Sequence, residues 1–215
     1  MVAKVSSPRV KADLCLLASE LKFSRDAHSR HYVLAAGRRS GFEHLVCYCG
    51  KNGKLVVRHT DRAVDCVGLP RLHLARAKTK RERLVIHHNH PSGLALSVAD
   101  VRHLLERPGL LEIFAHGHDG SWYWATSRRI RDGVEMIQHG ELAFIKGIRS
   151  LGARGVFFNE ALGPHLFNVA LERAGMIRYR YELSNAVEDR LKSVSKLHAI
   201  WLFDLVKKTI EKARR

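Results

Sequence analysis

Two histidines one residue apart, His88 and His90, close an apolar run, Leu84-Val85-Ile86, and a Pro91-Ser92-Gly93 turn follows them. Ser97 and Asp100 then stand three apart where a helix begins. On a strand, residues two apart project to the same side, so His88 and His90 can offer both imidazoles to one ion, with Asp100 as a third ligand. Each member also has a plainer role. A serine ahead of a helix is a natural cap that accepts from the N–H three residues on, and an aspartate in the first turn suits the positive helix end. His-x-His alone is a weak signal; the turn, Ser97 and Asp100 give it weight. His87 falls one position off the ligand face and is left out of the set.

The elements that must position these groups follow from patterning. Apolar residues at 10, 14, 17 and 21 predict an amphipathic helix over 10–23, and Ser24-Arg25-Asp26 begins a second one that runs to Ala36 and stops at Gly37. Phe42–Cys49 and Lys54–His59, joined through Asn52-Gly53, predict a hairpin, because both turn residues tolerate positive φ. Glu43 lies at the outer end of that hairpin on the face of Leu45 and Cys47, where a carboxylate needs a partner or a job. It is the only acid between Asp26 and Asp61. Residues 65–69 suggest a short strand, Pro70 suits the first turn of a helix over 71–77, and Leu84-Val85-Ile86 reads as a buried strand. A helix over 98–107 capped by Ser97 ends at Pro108-Gly109, and a second hairpin joins 111–116 to 121–126.

From Ile130 the chain reads as mostly helical and is punctuated by glycines, until a long final helix over Asn185–Arg215. That helix either lies on its own domain or pairs with a second copy as a dimer. Three units result: an N-terminal helical segment, 1–23; a compact α/β unit, 24–128; and a helical C-terminal region, 129–215.

Composition narrows the function classes. There are 37 Lys and Arg against 21 Asp and Glu, a net charge of +16, which favours polyanionic partners such as nucleic acid. The basic residues are spread along the chain, with the run 78–83 as the best local phosphate-contact patch. No run approaches the roughly 20 apolar residues of a membrane span, and the N-terminus lacks the apolar core of a secretory signal, so a cytoplasmic protein with free thiols is expected. Cys47 and Cys49 share a strand face, which fits a second metal pair or two small buried hydrophobes.

Glu43, His88-x-His90-Pro91 and Ser97-x-x-Asp100, taken together and in order, resemble the signature of the JAB/MPN (JAMM) metalloprotease family, and His88-Asn89-His90-Pro91-Ser92-Gly93 is most similar to its RadC-like bacterial and phage branch. The resemblance covers roughly residues 40 to 127. The interval between His90 and Ser97 is one residue shorter than in the commonest form of the motif. The resemblance implies an α/β, cytidine-deaminase-like mixed sheet flanked by helices, with the helical region 129–215 as an extension. It also implies a Zn2+ ion on His88, His90 and Asp100, Glu43 as general base and Ser97 as oxyanion donor. The reaction expected is hydrolysis of an amide bond in a protein or peptide substrate, including an isopeptide to a ubiquitin-like protein. The alternative expectation is a RadC-like nucleic-acid-associated binding protein with little or no hydrolysis.

Overall fold

A computed structural model describes residues 8–79, 83–128, 130 and 132–214, without the side chains of 8–19 and 21. Residues 80–82, half of the predicted basic run, therefore lie outside the described residues. Helix α1 spans Pro8–Ser40, followed by strands β1 (Leu45–Cys49) and β2 (Leu55–His59), helix α2 (Arg71–Ala77), β3 (Leu84–His90), α3 (Val98–Glu106), β4 (Leu110–Gly117) and β5 (Trp122–Ser127). Then come α4 (Gly133–Gly152), a 3-10 turn at Glu160–Leu162, α5 (Gly163–Arg173), β6 (Ile177–Glu182), α6 (Asn185–Lys192) and α7 (Lys196–Ala213). The fold is α/β, with one mixed sheet in the order β2-β1-β3-β4-β5-β6. Only β3 and β4 run parallel; the other neighbours are antiparallel.

Several boundaries differ from those predicted. The two N-terminal helices are one, with no break at Ser24. The chain leaves α1 not at Gly37 but at Gly41, whose positive φ of 78° and N–H bond to the Gly37 carbonyl close the last turn. Residues 65–69 form no strand. β3 continues past Ile86 through His90, and every one of its residues is buried. The region after residue 130 contains a strand that the helical reading missed. Its sequence, Ile177-Arg178-Tyr179-Arg180, alternates buried and exposed, which is the signature of an edge strand with one covered face. The final helix is interrupted between Lys192 and Lys196, where Ser193 caps α6.

The parallel pair matters most for the site. A parallel neighbour requires a crossover, and here the crossover is α3, whose N-terminus faces the C-terminal end of β3. α1 packs against β1, β3 and β4 on one face. On the other, a single cluster of buried side chains joins Leu45, Ile86 and Leu104 to Phe167 on α5 and to Leu202, Val206 and Ile210 on α7. Gly147 lets α4 approach α7, since a Cβ there would stand 2.6 Å from the Leu202 side chain. α7 thus buries one face against α4 and α5, while Leu197, Ile200 and Trp201 remain exposed. No helix among the described residues is long and apolar enough to cross a membrane.

Because sheet and C-terminal helices share one core, removing volume far from the sheet is felt throughout. Ile210→Ala is expected to cost about 2–5 kcal/mol of unfolding free energy. Tryptophan fluorescence and far-UV circular dichroism should then report one coincident, lowered denaturant midpoint. Separate transitions would show that the α7 side unfolds on its own.

Candidate metal centre

β3 carries four consecutive polar residues, His87 to Asn89 and then His90, and alternation sorts them onto two faces. His88 and His90 face α3, and the pairing of Leu45 with His88 aligns β1 so that Glu43, just before the strand, reaches the same end. Ser97 caps α3 with a full capping box. Its hydroxyl accepts from the Asp100 N–H at 3.1 Å, and the Asp100 carboxylate accepts from the Ser97 N–H at 2.8 Å. The box fixes the Asp100 side chain against the histidines.

Among the described residues, His88, His90 and Asp100 form the group of three ligand-bearing side chains able to hold a metal ion, their ligand atoms lying within 4.8 Å of one another. Nε2 of His88 is 2.9 Å from Nε2 of His90 and 3.7 Å from Oδ2 of Asp100, and His90 Nε2 is 3.9 Å from that oxygen. Tetrahedral coordination with bonds of about 2.0–2.1 Å spaces ligand atoms about 3.3 Å apart, so the set fits such an ion with small adjustments. His90 Nδ1 donates to the Leu94 carbonyl at 2.7 Å, which commits its proton and leaves Nε2 as the lone-pair atom. With two imidazole nitrogens 2.9 Å apart, a proton or a cation must stand between them.

The electrostatics agree with a cation site. Burial opposes charge on His88, but Asp100 and Glu43 outweigh it and raise its pKa. His90 is pushed down to about 4, first by burial and then by His88. Burial works against the Asp100 anion, yet the two histidines and Ser97 hold its pKa below the usual carboxylate range. Glu43 is 4 % exposed, and its pKa is raised to about 7, chiefly by burial and further by Asp100 and Asp65, against the pull of His88. Its Oε1 stands 3.8 Å from His90 Nε2.

Each predicted site residue can now be placed. Glu43, His88, His90, Ser97 and Asp100 all come together at one end of β3. The Ser97 hydroxyl, read from the resemblance as an oxyanion donor, donates to Asp100 Oδ2 at 2.8 Å. His87 lies on the opposite face, between Tyr48 and His116. The short loop after His90 is pinned from outside. The Gly93 carbonyl accepts from Ser121 and Tyr123, and α5 reaches over so that Asn168 donates to the Leu96 carbonyl at 2.8 Å. Gly93 itself has φ of 70°, with the Asp119 carboxylate 2.7 Å from where a Cβ would stand. A cleft of about 420 Å³ opens at the site, lined by Glu43, Asp65, Cys66, His90, Ser97 and Asp100, with Pro164 of α5 on its rim.

Sequence reasoning missed the Leu94 carbonyl that orients His90, the Asp65-Cys66 wall of the cleft, and Asn89. Only Asn89 left a signal, as a polar residue in a strand that turns out to be buried on both faces. Cys47 is buried and Cys49 half-buried, and neither belongs to the three-ligand group.

His90→Ala or Asp100→Ala should remove stoichiometric metal from the purified protein. Ser97→Ala should retain the metal with an affinity about 10–100-fold weaker and lose about 1 kcal/mol of stability as the cap is removed. Metal analysis with chelator competition, alongside denaturant melts, checks this; unchanged metal affinity in Asp100→Ala would rule out the ligand set. Comparison with family models, with curated proteins and with solved structures finds no match to this chain.

Proposed function

We propose that the protein is a zinc-dependent hydrolase of the JAB/MPN type that cleaves an amide bond in a protein or peptide, including an isopeptide. The observation that carries this reading is the placement of Glu43. A buried carboxylate with a pKa raised to about 7 stands 3.8 Å from a histidine of a three-ligand group, beside an accessible cleft. A purely structural metal site closes its coordination with four protein ligands, whereas three ligands beside a base leave a position open to water.

A zinc ion held by His88, His90 and Asp100 would supply a Lewis acid and a bound water of pKa about 7. Glu43 takes a proton from the attacking water as its oxygen bonds to the substrate carbonyl carbon. When the carbon–nitrogen bond breaks, Glu43 returns that proton to the departing amine. Glu43 suits both transfers by position, since its Oε1 stands 3.8 Å from His90 Nε2 and it lines the cleft in which a substrate would sit. Ser97 serves as oxyanion donor only if its hydroxyl rotates from Asp100 toward the cleft. His90 stays oriented throughout by its bond to Leu94.

Glu43→Gln should bind about one zinc per chain and lose about 10²–10⁴-fold in the rate of hydrolysis of peptide or ubiquitin-like conjugates. A Gln variant as active as the parent, or a zinc-free parent purified without chelators, would defeat the reading. A second reading is favoured by the net charge of +16: the protein binds nucleic acid and hydrolyses little or nothing. Affinity for an oligonucleotide should then fall steeply with salt and be unaffected by Glu43→Gln. Salt-independent binding would exclude that alternative.

A further inference from the structure

Asn89 stands between the two histidines on β3, is fully buried, and directs its side chain to the face away from them. Three hydrogen bonds hold its amide, using both donors and one acceptor position. Oδ1 accepts from the His44 N–H at 2.7 Å, and Nδ2 donates to the Phe42 carbonyl at 3.2 Å and to Nε2 of His118 at 3.1 Å. The Asn89 N–H adds a bond to the His44 carbonyl at 3.3 Å. Phe42 and His44 are the two residues that flank Glu43. The Glu43 peptide is tied from the other side, its N–H to the Ala63 carbonyl at 2.8 Å and its carbonyl to the Thr60 hydroxyl at 2.7 Å.

The register explains why a side chain is needed. Paired β1 residues begin with Leu45 opposite His88, so the continuing chain sets His44 opposite Asn89 and Glu43 opposite His90. There the His44 N–H turns to a side-chain oxygen, and Asn89 extends the ladder past the end of the strand. The space for it comes from α1. A Cβ on Gly37 would stand 2.7 Å from Asn89 Cγ and 2.8 Å from His118 Nε2, so a larger residue at 37 pushes the amide out of place. This accounts for a glycine within α1, three residues before the helix ends at Ser40.

We propose that Asn89 is the positioning residue for Glu43, a clamp seated against Gly37 that holds the carboxylate at the metal-ligand end of β3. The inference rests on the reading of Glu43 as general base. An apolar side chain at 89 would leave the His44 N–H and the Phe42 carbonyl without these partners, and the segment carrying Glu43 would be free to shift. A misplacement of about 1 Å is enough to cost about 10²-fold in rate.

The test uses the full-length zinc-loaded protein. Asn89→Ala should keep its zinc, lower kcat about 10–100-fold with KM changed less than about twofold, and expose the His44 amide to about tenfold faster hydrogen exchange. Asn89→Asp keeps the acceptor for His44 and loses the donor to Phe42, so it should restore the His44 protection and part of kcat. Gly37→Ala should reproduce the Asn89→Ala losses, and the double variant should be no worse than Asn89→Ala alone. Unchanged kcat and His44 exchange in zinc-bound Asn89→Ala would overturn the clamp, as would losses that multiply in the double variant. If Asn89→Ala does not fold, Gly37→Ala decides by the same two readouts. A parent protein that hydrolyses nothing would sink the hydrolase reading, while His44 exchange would still decide whether Asn89 holds the segment.

Discussion

A central strand buried on both faces normally carries apolar residues, because each polar group placed there loses water and must find another partner. β3 breaks that pattern with His87-His88-Asn89-His90, all at most 7 % exposed. Much of the surrounding structure satisfies these four side chains. On the α1 face, His87 stacks on Phe114 with centroids 4.2 Å apart and contacts Tyr48, Asp26 and His116. Burial disfavours the Asp26 anion, but His87, Tyr48 and Lys22 overcome it and hold its pKa well below the usual carboxylate range. Lys22 bridges Asp26 to Glu112 on β4, so α1 is attached to the sheet by a polar seam. On the other face, His88 and His90 have Asp100, Glu43 and the Leu94 carbonyl.

The topology brings those partners in. Parallel pairing of β3 with β4 sends the chain through α3, and its N-terminal turn arrives at the C-terminal end of β3. That end is where open α/β sheets characteristically assemble sites. The capping box that starts the helix also aims Asp100, so one set of bonds serves both helix initiation and ligand placement. The antiparallel hairpin of β1 and β2 delivers Glu43 to the same end from the opposite direction. The C-terminal helices complete the arrangement indirectly. α5 holds the Leu96 carbonyl through Asn168, and Ser184, which caps α6, donates to Asp119 in the turn under Gly93. A short loop can keep His90 and Ser97 in place because three separate elements pin it.

Local sequence was informative wherever a few neighbouring residues decide conformation. Asn52-Gly53 specified a turn, and Gly53 has the positive φ expected of it. Ser97 and Asp100 specified a helix start, and alternation put His88 and His90 on one side while setting His87 aside. The failures occurred where distant partners outweighed local preference. Gly37 looked like a helix terminus, since glycine is poor inside a helix; it is retained within α1 by the demand of Asn89 and His118 for its missing side chain. Ser24 and Asp26 looked like a helix start, yet Asp26 is engaged by Lys22, Tyr48 and His87, and the helix runs straight through. β6 was passed over among helices, although its alternation was present in the residues, because its partner β5 ends at Ser127, far back in the chain from Ile177.

Residue type and spacing by themselves determined that His88, His90 and Asp100 can meet one cation, because strand and helix periodicities act over a few residues and need nothing else to be read. Glu43 could be named from the sequence as the carboxylate to join them, but how it reaches them was decided by tertiary structure. Glu43 reaches the site because β1 pairs with β3 in one register, because Asn89 continues that pairing beyond the strand, and because α5 and the β4–β5 turn hold the opposite wall. Those contacts join residues far apart in the chain, so their energies have no local signature.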